Sequence, residues 1–326
     1  MNRIVRQQFK GGGIAIAILL GIISTPCCAV SNETITDNNY NIEYRIPDVP
    51  ERTSFADETI DLTRYDMYER YERELTAACY MHSSTLLTIK RANRYLPVIV
   101  PILQKENIPV DFIYLAAIES AFNPLAYSPA KAAGIWQFMP TTAREYGLEV
   151  NSDVDERYNV EKATVAACKY LHNAYNKFGS WVDAAASYNA GTQRITSERN
   201  KQGVESALDM HLVQETSRYV FRILATKQVM SSPADYGFRI RAHQLYQPIK
   251  TRTIEVTTTI DDLAAWAKEQ GITYQQLKDF NPWLRSRTLP NKSGKRYKIL
   301  IPLTEDIYYD DKREYRTFDE NWIVKD

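Results

Sequence analysis

Apolar positions along this chain recur mostly at three- and four-residue steps, the spacing of amphipathic helices. Leu62, Tyr65, Tyr68, Tyr71, Leu75 and Cys79 form one such series. Leu86, Ile89, Ile99, Ile102 and Leu103 form the next, with Pro97 and Pro101 interrupting or kinking the run. Pro109 stands at the start of a further apolar helix, which Asn123-Pro124 ends. Asn159 can cap the following helix, where Glu161 sits favourably in the first turn. Trp181 to Tyr188 and Thr216 to Met230 complete the helical segments. No strand alternation of any length occurs in this stretch, so 56–236 is predicted to be an all-α domain of about 180 residues.

The texture changes after Pro248. Thr251 to Thr259 is β-branched and strand-like. Two short helical patterns follow, Asp261 to Gln270 and Tyr274 to Phe280, separated by Gly271, and Arg296 to Ile301 reads as a second strand. The order β-α-α-β over 249–304 defines a small α+β domain, short but able to fold alone. Residues 30–55 are polar, rich in Asn and interrupted by prolines, and read as a linker. The tail 305–326 is charged and aromatic without a usable period.

The first 29 residues read as an export signal. Arg3, Arg6 and Lys10 precede an apolar run from Ile14 to Ile23, and small residues at Cys27-Cys28-Ala29 suit a cut after Ala29. The run is short against the roughly 20 residues of a membrane span. A retained membrane anchor is the second reading and lipidation at Cys27 or Cys28 the third, disfavoured by Thr25-Pro26. After cleavage only Cys79 and Cys168 remain; an oxidising exterior permits a disulfide. Thr164, Cys168, Leu171, Tyr175 and Phe178 share a helix face, however, and two buried thiols are the favoured reading.

Charge removes one class of partner. Forty basic and forty acidic residues cancel, whereas nucleic-acid binding usually shows as a basic excess. The four histidines are scattered, without HExxH or Cys/His ligand spacing, so no metal and no cofactor are expected. The chain carries 22 tyrosines against 10 phenylalanines. Such rings offer flat apolar faces with polar tips, suited to sugars, although most will be half-buried packing residues.

The most informative segment is Asp111 to Pro140. It places Glu119 in the last turn of an apolar helix, beside Leu115, Ile118 and Phe122. Apolar surroundings and the negative end of a helix both push a carboxylate toward its neutral form. A carboxyl group still protonated near neutral pH is what a general acid for glycosidic cleavage requires. The plain alternative is a surface carboxylate or a helix-end ion pair. Asp155 is the best second carboxylate and reads as an ion pair with Arg157.

Glu119-Ser120, Ser128, Gly134-Ile135-Trp136-Gln137-Phe138-Met139-Pro140, Ser187-Tyr188-Asn189-Ala190-Gly191, and Glu215-Thr216 with Tyr219-Val220 together resemble the family 1 lytic transglycosylases, in particular their membrane-bound murein transglycosylase D branch. Residues 153–171 resemble that branch too. The resemblance implies a goose-lysozyme-like helical fold, with peptidoglycan glycan strands as the partner. The implied reaction cleaves the β-1,4 bond between N-acetylmuramic acid and N-acetylglucosamine and leaves a 1,6-anhydro terminus. It assigns Glu119 the roles of acid and then base. Ser128 would lie close to that acid, though it also reads as a turn residue before Pro129. Gln137 matches an acetamido group, and Met139 could pack on a sugar face or fill core. Tyr188 and Asn189 would face a groove ahead of Gly191. Tyr219 would support Glu119 through its hydroxyl, and Trp136 reads as packing.

The 249–304 piece resembles a LysM module, which binds N-acetylglucosamine polymers, through Ile254 to Val256, Leu263 to Ala265, Gly271-Ile272-Thr273 and Asn281-Pro282-Trp283-Leu284. Thr258-Thr259-Ile260-Asp261 stands where the family has Gly-Asp-Thr, and a basic loop from Arg285 to Arg296 is inserted. A structural spacer is the alternative. The whole is expected to be a monomeric, exported enzyme of the periplasm or cell envelope. Its rivals are a lysozyme-type hydrolase and a silent wall-binding scaffold.

Overall fold

The computed structural model describes residues 46–309 and 314–324. The leader expected at 1–29 lies outside the described residues, as does the linker up to residue 45. Residues 46–61, in contrast, are not simple linker. Arg52–Phe55 (β1) and Glu58–Asp61 (β2) pair antiparallel, with Arg52 opposite Asp61 and Phe55 opposite Glu58. This hairpin corrects both the linker boundary at 55 and the strand-free reading of the domain. Its two-residue turn is Ala56-Asp57, both at positive φ (50° and 65°). That turn lacks the Asn-Gly type of signal that marks hairpins in sequence. Tertiary contacts hold it instead: the Phe55 ring meets Phe112 edge-on at 5.0 Å, and the Ala56 N–H donates to Asp111 Oδ2 at 2.8 Å.

The helices follow the apolar pattern. Tyr65–Tyr80 (α1) starts after Leu62, which belongs to the turn beyond β2. His82–Lys105 (α2) runs on through Pro97 and Pro101, because Ile89, Leu96, Ile99 and Leu103 bury one continuous face. Phe112–Ser120 (α3), Pro140–Glu145 (α4), Val160–Phe178 (α5), Trp181–Ala190 (α6), Thr192–Gln202 (α7) and Gln214–Ser231 (α8) complete the domain. Asn159 caps α5 as expected, its Oδ1 accepting from the Lys162 N–H at 3.0 Å. The α7 helix was not predicted. Only Ile195 of it is buried, so no apolar stripe marks it. Cys79 and Cys168 are buried free thiols, not a disulfide.

The second domain has the expected β-α-α-β order. Thr251–Val256 (β3) pairs antiparallel with Tyr297–Pro302 (β4), and Leu263–Glu269 (α9) and Tyr274–Phe280 (α10) lie between them in sequence. Asp262 caps α9, and Thr273 with Gln276 forms a capping box on α10. Buried Asn281 stitches α10 to β4, donating to Leu300 O at 2.7 Å and accepting from the Leu300 N–H at 2.8 Å. Ala133, Val154 and Tyr158 of the helical domain share this domain's core with Leu277, Trp283, Leu284 and Ile299.

The tail, for which no period was legible, folds back onto the helical domain. Trp322 is buried in the main core. The Val324 N–H donates to Ile240 O at 2.8 Å, and the Phe318 N–H to Asn93 Oδ1 at 2.7 Å.

Candidate active site

α3 is apolar on nearly every side, with Phe112, Ile113, Leu115, Ala116 and Ala117 buried. It ends abruptly, because Ala121 and Phe122 both adopt positive φ (51° and 52°) and Phe122 is fully buried. The last turn thereby leaves Glu119 half-buried on a cleft of about 650 Å³. Burial pushes the Glu119 carboxyl from its ordinary 4.5 up to about 7. Two influences oppose burial: a hydrogen bond from Tyr219 Oη to Glu119 Oε1 at 2.5 Å, and the nearby charge of Arg222. Desolvation outweighs both, and the field at the C-terminal end of α3 acts in the same direction. A carboxyl group at about 7 is divided between its acid and base forms at neutral pH.

Ser128 and Gln137 line the same cleft. Ser128 Oγ accepts from the Ala132 N–H at 3.0 Å, so the hydroxyl also shapes the loop before the aromatic strip. Gln137 sits at positive φ (48°) and spends its amide donors on Gly134 O (2.8 Å) and Ala126 O (3.3 Å). That orientation turns toward the backbone the N–H groups expected to meet a ligand. Ser120 Oγ donates to Ile135 O at 2.8 Å, tying the end of α3 to the strip. Trp136 is a packing residue, fully buried, with Nε1 donating to Thr164 Oγ1 at 2.9 Å.

Tyr188, Asn189 and Met139 do not line this cleft. Tyr188 stands behind the strip, its hydroxyl donating to Trp136 O at 2.8 Å and its ring edge-on to Tyr170. Asn189 Oδ1 accepts from Thr216 Oγ1 at 2.8 Å, joining α6 to α8. Met139 is 43% exposed at the start of α4. Tyr219 is 3% exposed and reaches Glu119 from α8.

A further part of the lining had no signal in the sequence. Glu74, Arg218 and Arg222 line it. Glu74 is 2% exposed and accepts two bonds from Arg218, at 2.7 and 3.1 Å, and one from Arg73 at 3.0 Å; Arg222 lies 3.8 Å away. This second carboxylate of the cleft is therefore engaged on several sides by guanidinium groups. Glu74 and Arg218 are too far apart in sequence for any local pattern to pair them. Asp155 pairs with Arg157 as expected, through bonds of 2.9 and 2.7 Å, away from the cleft lining.

The site is thus a half-buried, tyrosine-supported carboxyl group in a groove between helices. Residues 98–210 match the Transglycosylase SLT domain, and residues 252–305 match the Soluble lytic transglycosylase C-terminal LysM-like domain. The chain thus carries a helical Transglycosylase SLT domain followed by a LysM-like one. It is 32% identical over 239 residues to the membrane-bound lytic murein transglycosylase D of Escherichia coli, covering 72% of this chain and 51% of that protein. It is 24% identical over 192 residues to the membrane-bound lytic murein transglycosylase C of Glaesserella parasuis, covering 52% of each. The chain spans about half the length of these relatives. Among solved structures, the 70 kDa soluble lytic transglycosylase of Escherichia coli is 25% identical over 42% of this chain and 24% of that one, with a TM-score of 0.37.

Proposed function

We propose that this protein is a peptidoglycan lytic transglycosylase in which Glu119 acts first as acid and then as base. Protonated Glu119 donates its proton to the glycosidic oxygen as the bond to C1 of N-acetylmuramic acid breaks, releasing N-acetylglucosamine with a free 4-hydroxyl. The carboxylate so formed removes the proton from the C6 hydroxyl of the same muramic acid. That oxygen closes on C1, giving the 1,6-anhydro ring and restoring protonated Glu119. No water is consumed. The attacking hydroxyl already belongs to the bound sugar, which supplies a large effective molarity.

The observation that carries this reading is the pairing of one carboxyl raised to about 7 with a second cleft carboxylate, Glu74, committed to arginines. Glycosidases that hydrolyse ordinarily use two carboxyl groups flanking the bond, about 5–9 Å apart. Glu74 is bound to Arg218 and cannot take the second role without breaking that pair. Tyr219 acts as a positioning residue that holds Oε1 and leaves Oε2 for proton transfer. Ser128 and the Gln137 carbonyl are candidates to meet the sugar's acetamido group; Tyr188 and Asn189 are proposed to act from behind the cleft lining, through Trp136 O and Thr216, and exposed Met139 to meet a sugar beyond it. With peptidoglycan as its substrate the chain is proposed to act outside the cytoplasm, as a monomer, with the N-terminal segment as its export signal.

Product analysis tests the proposal. Digestion of isolated sacculi should yield fragments ending in 1,6-anhydro-N-acetylmuramic acid by mass spectrometry. Reducing ends would assign the site to a hydrolase, and intact sacculi would assign it to a binding protein.

A further inference from the structure

The segment between Glu149 and Tyr158 touches two things at once. On one side it is joined to the LysM-like domain. The Asp155 N–H donates to Trp283 O at 2.9 Å, the Arg285 N–H donates to Asp153 O at 2.7 Å, and Val154 forms a β-bridge with Leu284. Val154 and Tyr158 are buried in the core built around Trp283 and Leu284, and the Arg285 guanidinium lies 4.4 Å from the Tyr158 ring centre. At the rim, Glu149 binds Lys295 and accepts from Tyr297 Oη at 3.0 Å. A hinged module would have to expose these apolar surfaces each time it moved.

On its other side the same segment grips the loop 126–139, which carries Ser128 and Gln137. Arg157, locked in a fork by Asp155, donates through Nη1 to Lys131 O (2.7 Å) and Phe138 O (3.0 Å). Those carbonyls lie near the middle of the loop and at its C-terminal end. Gly134 packs so tightly here that a Cβ would stand 1.9 Å from Arg157 O. The loop also holds Lys131 at φ 71° and Gln137 at φ 48°. Such non-glycine left-handed residues persist only where the surroundings over-determine them.

We propose that the LysM-like domain is a fixed buttress of the catalytic loop, acting through Asp155 and Arg157 as positioning residues. Carbohydrate binding by this domain is a separate property, and the buttress needs none. The effect on turnover rests on the function proposed above; the mechanical coupling does not.

Two full-chain variants test it. Leu284→Ala opens the LysM-like core where it meets Val154, and Arg157→Lys keeps the charge but loses the fork. Both are read by hydrogen exchange of the 126–139 amides and by kinetics on a soluble tetrasaccharide of the wall glycan. The buttress requires exchange in 126–139 to quicken about tenfold in each. It also requires KM to rise at least about fivefold, while the pH midpoint set by Glu119 stays in place. A tether would act only on insoluble sacculi. Unchanged loop exchange and unchanged tetrasaccharide KM in Leu284→Ala would overturn the proposal, even if that change unfolds the LysM-like domain entirely. Failure of wild type to cleave the tetrasaccharide would instead count against the proposed function, and the exchange readout would still decide the coupling.

Discussion

Replacing Glu119 by Gln separates the chemistry from the fold in a single substitution. The amide keeps the volume of the side chain and can still accept from Tyr219 Oη, but it carries no transferable proton. Turnover should fall by about 10²–10⁴, the range for loss of a general acid. Stability should move the other way. The carboxyl binds its proton more tightly in the folded state (about 7) than in the unfolded chain (near 4.5). Its contribution is therefore fully present below pH 4.5 and is lost as pH rises through 7. A difference of this size corresponds to about 3 kcal/mol once the folded carboxyl is ionised. The uncharged amide of Glu119→Gln suffers no such loss. The variant should match wild type in melting temperature near pH 4 and exceed it at pH 8.5, by about 6–10 °C for a domain of this size. Thermal unfolding across that range, beside product release from sacculi, measures both effects. Equal melting temperatures at pH 8.5 would show that Glu119 is not desolvated, and undiminished turnover would remove it from the mechanism.

Tyr219→Phe removes the donor that lowers the Glu119 pKa, so the alkaline limb of the rate profile, expected near pH 7, should shift upward while turnover drops about tenfold. A shift downward would contradict the assignment. Gly134→Ala should destabilise by several kcal/mol and abolish activity, since its backbone is at φ 78° and its Cβ would collide with Arg157 O; denaturant titration measures the loss. Burial pushes the Cys79 and Cys168 thiols up to about 11 and about 12. Both should resist a thiol reagent in the native state and react only on unfolding, and rapid native labelling would count against their buried environment.

The helix that carries Glu119 was legible because its signals are local. An unbroken apolar run fixes α3, one charged residue near its end stands out against it, and Asn159 announces α5 by its capping chemistry. The β-α-α-β order was legible for the same reason, through β-branched runs at either end of two short amphipathic patterns. The hairpin at 52–61 escaped because Ala56-Asp57 carries no turn signal and residues distant in sequence, among them Phe112, Asp111 and Lys227, hold it in place. The tail escaped because Trp322 acquires its burial from the helices it meets, not from its neighbours in sequence.

Within the cleft the same division holds. Local order settled which carboxyl group would sit at a helix end among apolar side chains, since those neighbours lie within a turn of it. Only the packed fold decided how that group is held: Tyr219 comes from 100 positions away, and Arg218 meets Glu74 across 144. It likewise decided that the LysM-like domain shares a core with the helical one. Helix spacing and capping are written in consecutive residues, whereas a phenol beside a carboxyl, or a tryptophan against a distant valine, exists only after the chain has closed on itself.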